Sequence, residues 1–580
     1  MKIKTIYKGN IFLLALLTVS IGSCKKDDFL TPVIKGTLTN ANTFNSQTNA
    51  DLFVNDIYNQ LPDYNNGNQV DRVLDAWTDN SNAGATDHEG QTRIRANALS
   101  PGNSTNGVGG FFGWSNLYTW IRKCNVFLRD GAANSSAYDA AWYTQRVAEV
   151  RFLRAFFYSI LYRNYGGVPL ISIPLNNQDG SDIFTPRATL DATLAFIEAD
   201  CDAAAAVLPL RQTGANLSRA TKGAALALKA EVQLFAASPL VNTTNDAAKW
   251  AKAAATNKEI MDLNVYSLFT TSGAPIISTT GSGTTSTAFR DQFLAVNNWN
   301  AETIFARSYA LPSKPHRREG FLGPAIVKGV QQAWGGISPT QNLVDDYQMD
   351  NGKPITDPTS GYDPQHPYLH RESRFEQSIV YDGSYWQGDV FMSRIGGSNQ
   401  IDLGSSSDIS NTGYSARKTL DESILGQSSL NSATNISNYQ YWRFAEVLLS
   451  YAEAQNEAVG PDQSVYDAVN RVRARVLLSN VPPGTGKDQM RTIIRRERRL
   501  EFAFEDKRWY DIRRWDITVK GPAVLNSPTF GMRITGSGSN LVYDPTALVF
   551  QNRFSEHMNW LPIPQGIINS NPKLTQNPGY

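Results

Sequence analysis

The chain reads as a mainly α-helical protein: a tetratricopeptide-like array of helix pairs carrying long irregular loops and a few short strands. Three observations predict this. Segments of helical periodicity, alanine-rich or aromatic, fill the first half. Residues 270–345 and 351–435 are instead rich in Gly, Ser, Thr, Pro and Asn, the composition of loops. Helical periodicity then returns from Tyr441 onward. No clean 34-residue repeat is visible, so the array rests on the succession of helices alone.

The first element is a targeting segment. Lys2, Lys4 and Lys8 precede an apolar run from Ile11 to Ile21, which is shorter than the roughly 20 residues a spanning helix needs. Ile21-Gly22-Ser23-Cys24 then resembles the lipobox of bacterial lipoproteins, where the cysteine is acylated. Residues 1–23 are therefore expected to be a signal peptide and Cys24 the lipid anchor; two or more acyl chains hold a membrane stably where one does not. Lys25-Lys26-Asp27-Asp28 looks like the acidic tract that sends Bacteroidetes lipoproteins to the cell surface.

Helices follow in order. Gln145 to Tyr165 carries an apolar band so wide that burial on most sides is expected, and Gly166-Gly167 stops it. Leu190–Leu208, Lys222–Ala237 and Ala247–Leu263 are amphipathic helices, the first two closed by Pro209 and Pro239. The loop-rich middle holds strand-like pieces at Thr303–Ala306 and Ile379–Tyr381. Helix resumes at Tyr441–Ala458, Val465–Leu478 and Lys487–Arg514. In the last, Arg498 with Glu501 and Glu505 with Arg508 stand at i,i+3 and can bridge on one face. The expected division is a helical domain over 24–265 and a loop-bearing domain over 266–580.

Composition excludes several classes. Formal net charge is +1, which gives no basic surface for nucleic acid. At 41% hydrophobic and 11% aromatic residues the chain can bury a large core. Beyond the anchor only Cys124 and Cys201 remain; both sit in helix-like apolar runs and are expected to be buried thiols rather than a disulfide.

Enzyme motifs fail on inspection. H-E-x-x-H and G-x-S-x-G are absent. His366 and His370 have zinc-like spacing, but Pro367 favours a turn. Gly484-Thr485-Gly486-Lys487 imitates a phosphate loop, yet Asp488 replaces the required Ser or Thr. Asp345, Asp346 and Asp350 do not have EF-hand spacing. No cofactor is expected.

A resemblance runs through the mature sequence. Trp114-x-x-Leu117-Tyr118-x-x-Ile121, Glu149-x-Arg151-Phe152-Leu153-Arg154-Ala155 and Tyr165-Gly166-Gly167-Val168-Pro169-Leu170 come first. Pro339-Thr340-Gln341-x-Leu343-Val344-Asp345, Thr412-Gly413-Tyr414 and Arg443-Phe444-Ala445-Glu446-Val447-Leu448-Leu449 follow. Asn470-x-Val472-Arg473-x-Arg475, Glu497-Arg498-Arg499-Leu500-Glu501, Arg508-Trp509-Tyr510-Asp511 and Gln576-Asn577-Pro578-Gly579-Tyr580 close the series. In this order they resemble the landmarks of the SusD/RagB family of outer-membrane nutrient-binding lipoproteins. Two positions depart: Arg371-Glu372-Ser373-Arg374 stands where the family usually reads Arg-Asp-Pro-Arg, and Cys124 replaces a common alanine. The resemblance implies a non-catalytic, lipid-anchored protein of the cell surface. It would bind a glycan or peptide and pass it to a TonB-dependent transporter (SusC-like). A peptide-binding member of the family and a surface glycan-degrading enzyme are the alternatives.

Those landmarks are structural, so ligand contacts are sought from physics. A sugar ring has apolar C–H faces ringed by hydroxyls; flat aromatic side chains and planar hydrogen-bonding groups on loops match it. Trp334, in a Gly-rich loop, is the first candidate. Tyr309 and His316 follow in a Pro-rich loop. Trp77, Asp79 and Asn80, with Arg72 nearby, occupy a polar stretch, and Trp386 lies in YDGSYWQGD. Trp114, Trp120, Trp442, Trp509, Trp515 and Trp560 are expected to be packing residues.

Overall fold

The computed structural model describes residues 42–65, 73–84, 89–104, 112–176, 182–270, 288–404, 407–426 and 432–580; the signal segment, Cys24 and Arg72 lie outside them. The frame is helical: α1 (Gln47–Asn59), α2 (Trp114–Val126), α3 (Ala140–Tyr165), α4 (Leu190–Ala205), α5 (Lys222–Ala237), α6 (Ala247–Asp262), α7 (Phe444–Val459), α8 (Gln463–Arg475), α9 (Lys487–Glu501) and α10 (Arg508–Arg514). The starts of α3 to α6 are set by short oxygen-bearing side chains that accept first-turn N–H groups. Asp139 accepts from Trp142 at 2.8 Å, Thr189 from Ala192 at 3.1 Å, Thr221 from Ala224 at 3.2 Å and Asp246 from Ala248 at 2.8 Å. α3 is the hub, with every residue from Phe152 to Tyr165 buried. Its interior charges are paired, Arg154 with Asp200 at 2.8 Å and Arg163 with Glu231 at 2.7 Å.

Each helix packs on the next: α2 on α3, α3 on α4, α4 on α5 and α5 on α6. α7 arrives from the far half of the chain, packs on α6 and continues the array through α8. The two halves of the sequence therefore interlock in one frame.

Strands come as two-stranded antiparallel pairs rather than as a sheet. β1 (Ser81–Ala83) pairs with β5 (Ile337–Pro339), and β2 (Thr303–Arg307) with β10 (Tyr439–Arg443). β3 (Ile326–Val327) pairs with β4 (Val330–Gln331), β6 (Ile379–Val380) with β9 (Ser415–Ala416), and β7 (Tyr385–Trp386) with β8 (Asp389–Val390). A longer hairpin, β11 (Pro528–Thr535) with β12 (Val542–Gln551), stands outside any sequence expectation.

Three expectations change. Tyr441–Arg443 is strand, not helix: its alternating rings suit a β ladder, and α7 begins at Phe444. The helix expected to Leu478 ends at Arg475, and Leu477 then turns left-handed at φ +63°. The helix expected over Lys487–Arg514 breaks after Glu501, with Phe504 and Asp506 at φ +63° and +61°, and restarts at Arg508. The local bridges expected there do not form. Arg498 reaches Asp511 at 3.0 Å, Glu501 reaches Arg443 at 2.7 Å, and Arg508 reaches Asp79 at 2.9 Å. Buried charges need partners held by the tertiary fold, and this segment is buried. Cys124 and Cys201 are free and buried, and burial pushes both thiols well above their ordinary range. The six tryptophans expected to pack are buried or half-buried.

Candidate functional site

Loops can display a ligand surface only if something rigid holds them. Here that is a buried ion cluster between α8, α9, β10 and the loop segments that carry Glu302, Glu372, Arg374 and Lys418. Arg443 on β10 reaches Glu302 at 2.6 Å, Glu501 at 2.7 Å and Glu505 at 2.6 Å. Arg475 pairs with Glu302 at 2.7 Å and also with Glu501. Arg374 pairs with Glu372 at 2.6 Å and Glu497 at 2.8 Å, Lys418 with Glu505 at 2.7 Å, and Arg473 with Glu497. The cluster balances: five carboxylates face five cations, all buried. Burial alone would raise the Glu501 carboxyl, but Arg475, Arg443 and Arg374 outweigh it and hold it at about 2. Removing any partner would strand a charge, so the cluster fixes the geometry of the loops it ties together.

On this frame sit two hairpins of the same kind. β3 and β4 are joined by Lys328-Gly329, with φ +50° and +74°. β7 and β8 are joined by Gln387-Gly388, with φ +50° and +73°. Two positive φ values in a two-residue loop match the twist of the strands they connect. The hairpins brace each other: the Lys328 backbone N–H donates to Asp389 at 2.5 Å. The Gln387 side chain donates to the Ile424 carbonyl at 2.7 Å, and Gln331 to Asp408 at 2.7 Å.

Trp334 follows β4. Its N–H donates to Gly320 at 2.9 Å, and the Gly336 N–H to Phe321 at 2.7 Å. Gly335, at φ +55°, lies so close to the Asp408 carbonyl that a Cβ would stand 2.4 Å from it. With its backbone pinned, the indole leans on Phe321 at 4.8 Å and 51° and keeps 43% of its surface exposed. Tyr385, at the start of the second hairpin, is 36% exposed. Val330 and Leu425 are exposed on the same group of segments.

Apart from Arg72, which lies outside the described residues, the other expected site residues are buried in the scaffold, and each is corrected by its surroundings. Trp77 is fully buried, edge-on to Trp509 at 5.5 Å and Phe112 at 5.8 Å. Asp79 pairs with Arg508 at 2.9 Å and Arg499 at 2.7 Å. Burial would raise its carboxyl, but Arg499 and Arg508 hold it at about 2. Asn80 accepts from Arg499 at 2.9 Å and donates to Asp75 at 2.6 Å. Tyr309 is buried edge-on to His316 at 4.7 Å, and its hydroxyl donates to Asp63. His316 is fully buried; burial and then Arg318 push its imidazole down to about 3, so it is neutral. Trp386 is buried beneath the Arg417 guanidinium at 5.7 Å. A ring sealed on both faces has none left for a ligand.

Tyr385 is the residue that sequence reasoning missed, and the signal was present. Successive strand residues point to opposite faces, so of Tyr385-Trp386 one ring had to turn out. The larger ring took the core.

The molecule is a helical array that displays exposed rings on braced loop hairpins. The sequence comparisons give its family. Residues 301–580 match the SusD family, and residues 37–234 a family described as starch-binding and associating with the outer membrane. The chain belongs to the SusD/RagB family. It is similar to two SusD-like proteins of Formosa agariphila. One, P2, is 34% identical over 26% of this chain and only 27% of its own length; the other, P38, is 24% identical over 75% of this chain and 77% of its own. Among solved structures, a SusD-like protein of Bacteroides fragilis shares 26% identity with a TM-score of 0.75, over 93% of this chain and 98% of its own. A SusD-like carbohydrate-binding protein of the same organism shares 23% identity with a TM-score of 0.73, over 92% and 100%.

Proposed function

We propose that this chain is a non-catalytic glycan-binding lipoprotein of the outer-membrane surface, tethered through Cys24, which captures an oligosaccharide and passes it to a TonB-dependent transporter. The observation that carries the reading is the exposed Trp334 indole on a pinned backbone, beside the braced hairpin that bears Tyr385. A rigid ring costs little entropy to engage, and the neighbouring amide and carboxylate of Gln331 and Asp408 suit the hydroxyls around a sugar ring. The starch-binding description of the matching family and the carbohydrate-binding description of the similar B. fragilis protein support the same ligand class. No helix among the described residues is long and apolar enough to cross a membrane.

Calorimetric titration against oligosaccharides and peptides tests this. Saccharide binding with Kd between micromolar and millimolar, about −8 to −4 kcal/mol, fits capture followed by release. Trp334→Ala is expected to lose at least about tenfold in affinity, about 1.4 kcal/mol, with the melting temperature nearly unchanged. Binding confined to peptides, or hydrolysis of a bound saccharide, would contradict the proposal.

A further inference from the structure

Trp299 stands apart from the other tryptophans. Its backbone is left-handed, φ +60°, a conformation that a bulky side chain rarely adopts. Trp120, Trp142, Trp299 and Trp560 are half-buried. Three of these pack on the main apolar core; Trp299 belongs to none of the apolar clusters among the described residues. Membership of an apolar core therefore does not account for the strain.

The strain is held by three asparagines. Asn297 donates to the Asp291 carbonyl at 2.8 Å. Asn298 donates to the Ile436 carbonyl at 2.8 Å and accepts from the Asn438 N–H at 2.8 Å. Asn300 donates to the Asn297 carbonyl at 3.0 Å and accepts from the Glu302 N–H at 2.9 Å. Side-chain amides on both flanks thus fix the turn immediately before β2. Val296, three residues earlier, is 86% exposed, the highest value among the exposed large apolar residues of the described chain. From Gln292 to Ala301 no residue carries a charge. Such geometry clusters at functional sites, and unlike Leu477 and Phe504, which hold it where a helix ends, Trp299 holds it on a surface turn.

We infer that the Val296–Asn300 turn is a second saccharide subsite, on which the Trp299 indole stacks a neutral sugar ring. The absence of charge selects an uncharged ligand. A single ring on a turn that its own amides already fix offers the flat apolar face on which one sugar unit stacks. The subsite lies on the β2–β10 ladder, whose Ile304, Phe305 and Tyr441 belong to the main core, whereas Trp334 leans on Phe321 of the second core. Two such separated points would hold a long glycan more firmly than either alone. The inference rests on the glycan reading above.

The test uses Trp299→Asn in the full mature chain, because asparagine tolerates the left-handed backbone. Affinity electrophoresis through gels containing starch, laminarin or xylan is run beside thermal melting, with Trp334→Ala in parallel. The expected result is a melting temperature no lower than wild type, with affinity for the retarding polysaccharide reduced at least about fivefold, the scale of one aromatic contact. Wild-type retardation in Trp299→Asn, or a melting temperature lowered by several degrees, would overturn the subsite. If Trp334→Ala alone loses retardation, the subsite fails and the glycan reading stands; if no polysaccharide retards wild type, both fail.

Discussion

Two stretches of this chain look alike in sequence and fold to opposite ends. Trp77-Thr78-Asp79-Asn80 and Val330-Gln331-Gln332-Ala333-Trp334 each set a tryptophan among polar residues. The first is interior: its indole meets Trp509, and its carboxylate is gripped by Arg499 and Arg508 from α9 and α10. The second is surface: the backbone is tied to Gly320 and Asp408, and the ring is left open. The difference lies in what lies far away in the sequence. Asp79 has two arginines more than 400 residues on to neutralise it, whereas Trp334 has only neighbouring loops. A polar stretch near one end reads as a loop until the distant cations that bury it are known.

The largest way to break this comparison is Trp77→Ala. Emptying a sealed site against Trp509 and Phe112 is expected to cost about 3–5 kcal/mol, measured by denaturant unfolding. A cost below about 1 kcal/mol would place Trp77 with Trp334 rather than opposite it. Acid comes next. The Asp79 carboxyl is held at about 2 against an ordinary 3.8, so its pairing stabilises the fold fully above pH 4 and is lost as pH falls toward 2. That is worth about 2 kcal/mol, visible as a drop in unfolding free energy across this window. Glu501, also held at about 2, adds to the fall. The smallest effect belongs to Tyr385→Ala, expected to weaken saccharide binding about threefold at little cost in stability. Trp386→Ala, on the inward side of the same strand, should do the reverse.

Much of the frame was legible because it depends on local signals. Helical periodicity, the Gly166-Gly167 stop and the closing Pro209 and Pro239 placed α4 to α6 within three residues of their ends and α3 within five. The break between α9 and α10 was not legible. It depends on Glu505 being drawn to Lys418 and Arg443 while Arg508 is drawn to Asp79, and no local pattern reports such partners. The candidate site was half legible. The Gly-rich loop singled out Trp334, and its ring is exposed. Tyr309 and His316 were misread because their Pro-rich loop folds inward against Asp63 and Ser437.

On the proposed reading, ligand meets the chain at the braced hairpins and not along the buried 74–80 stretch. Hydrogen–deuterium exchange with and without a saccharide that binds tests this in one measurement. Slowed exchange is expected over 326–334 and 385–390, with 74–80 unchanged. Protection confined to 74–80 or 309–316, with both hairpins exchanging as in the free protein, would contradict it.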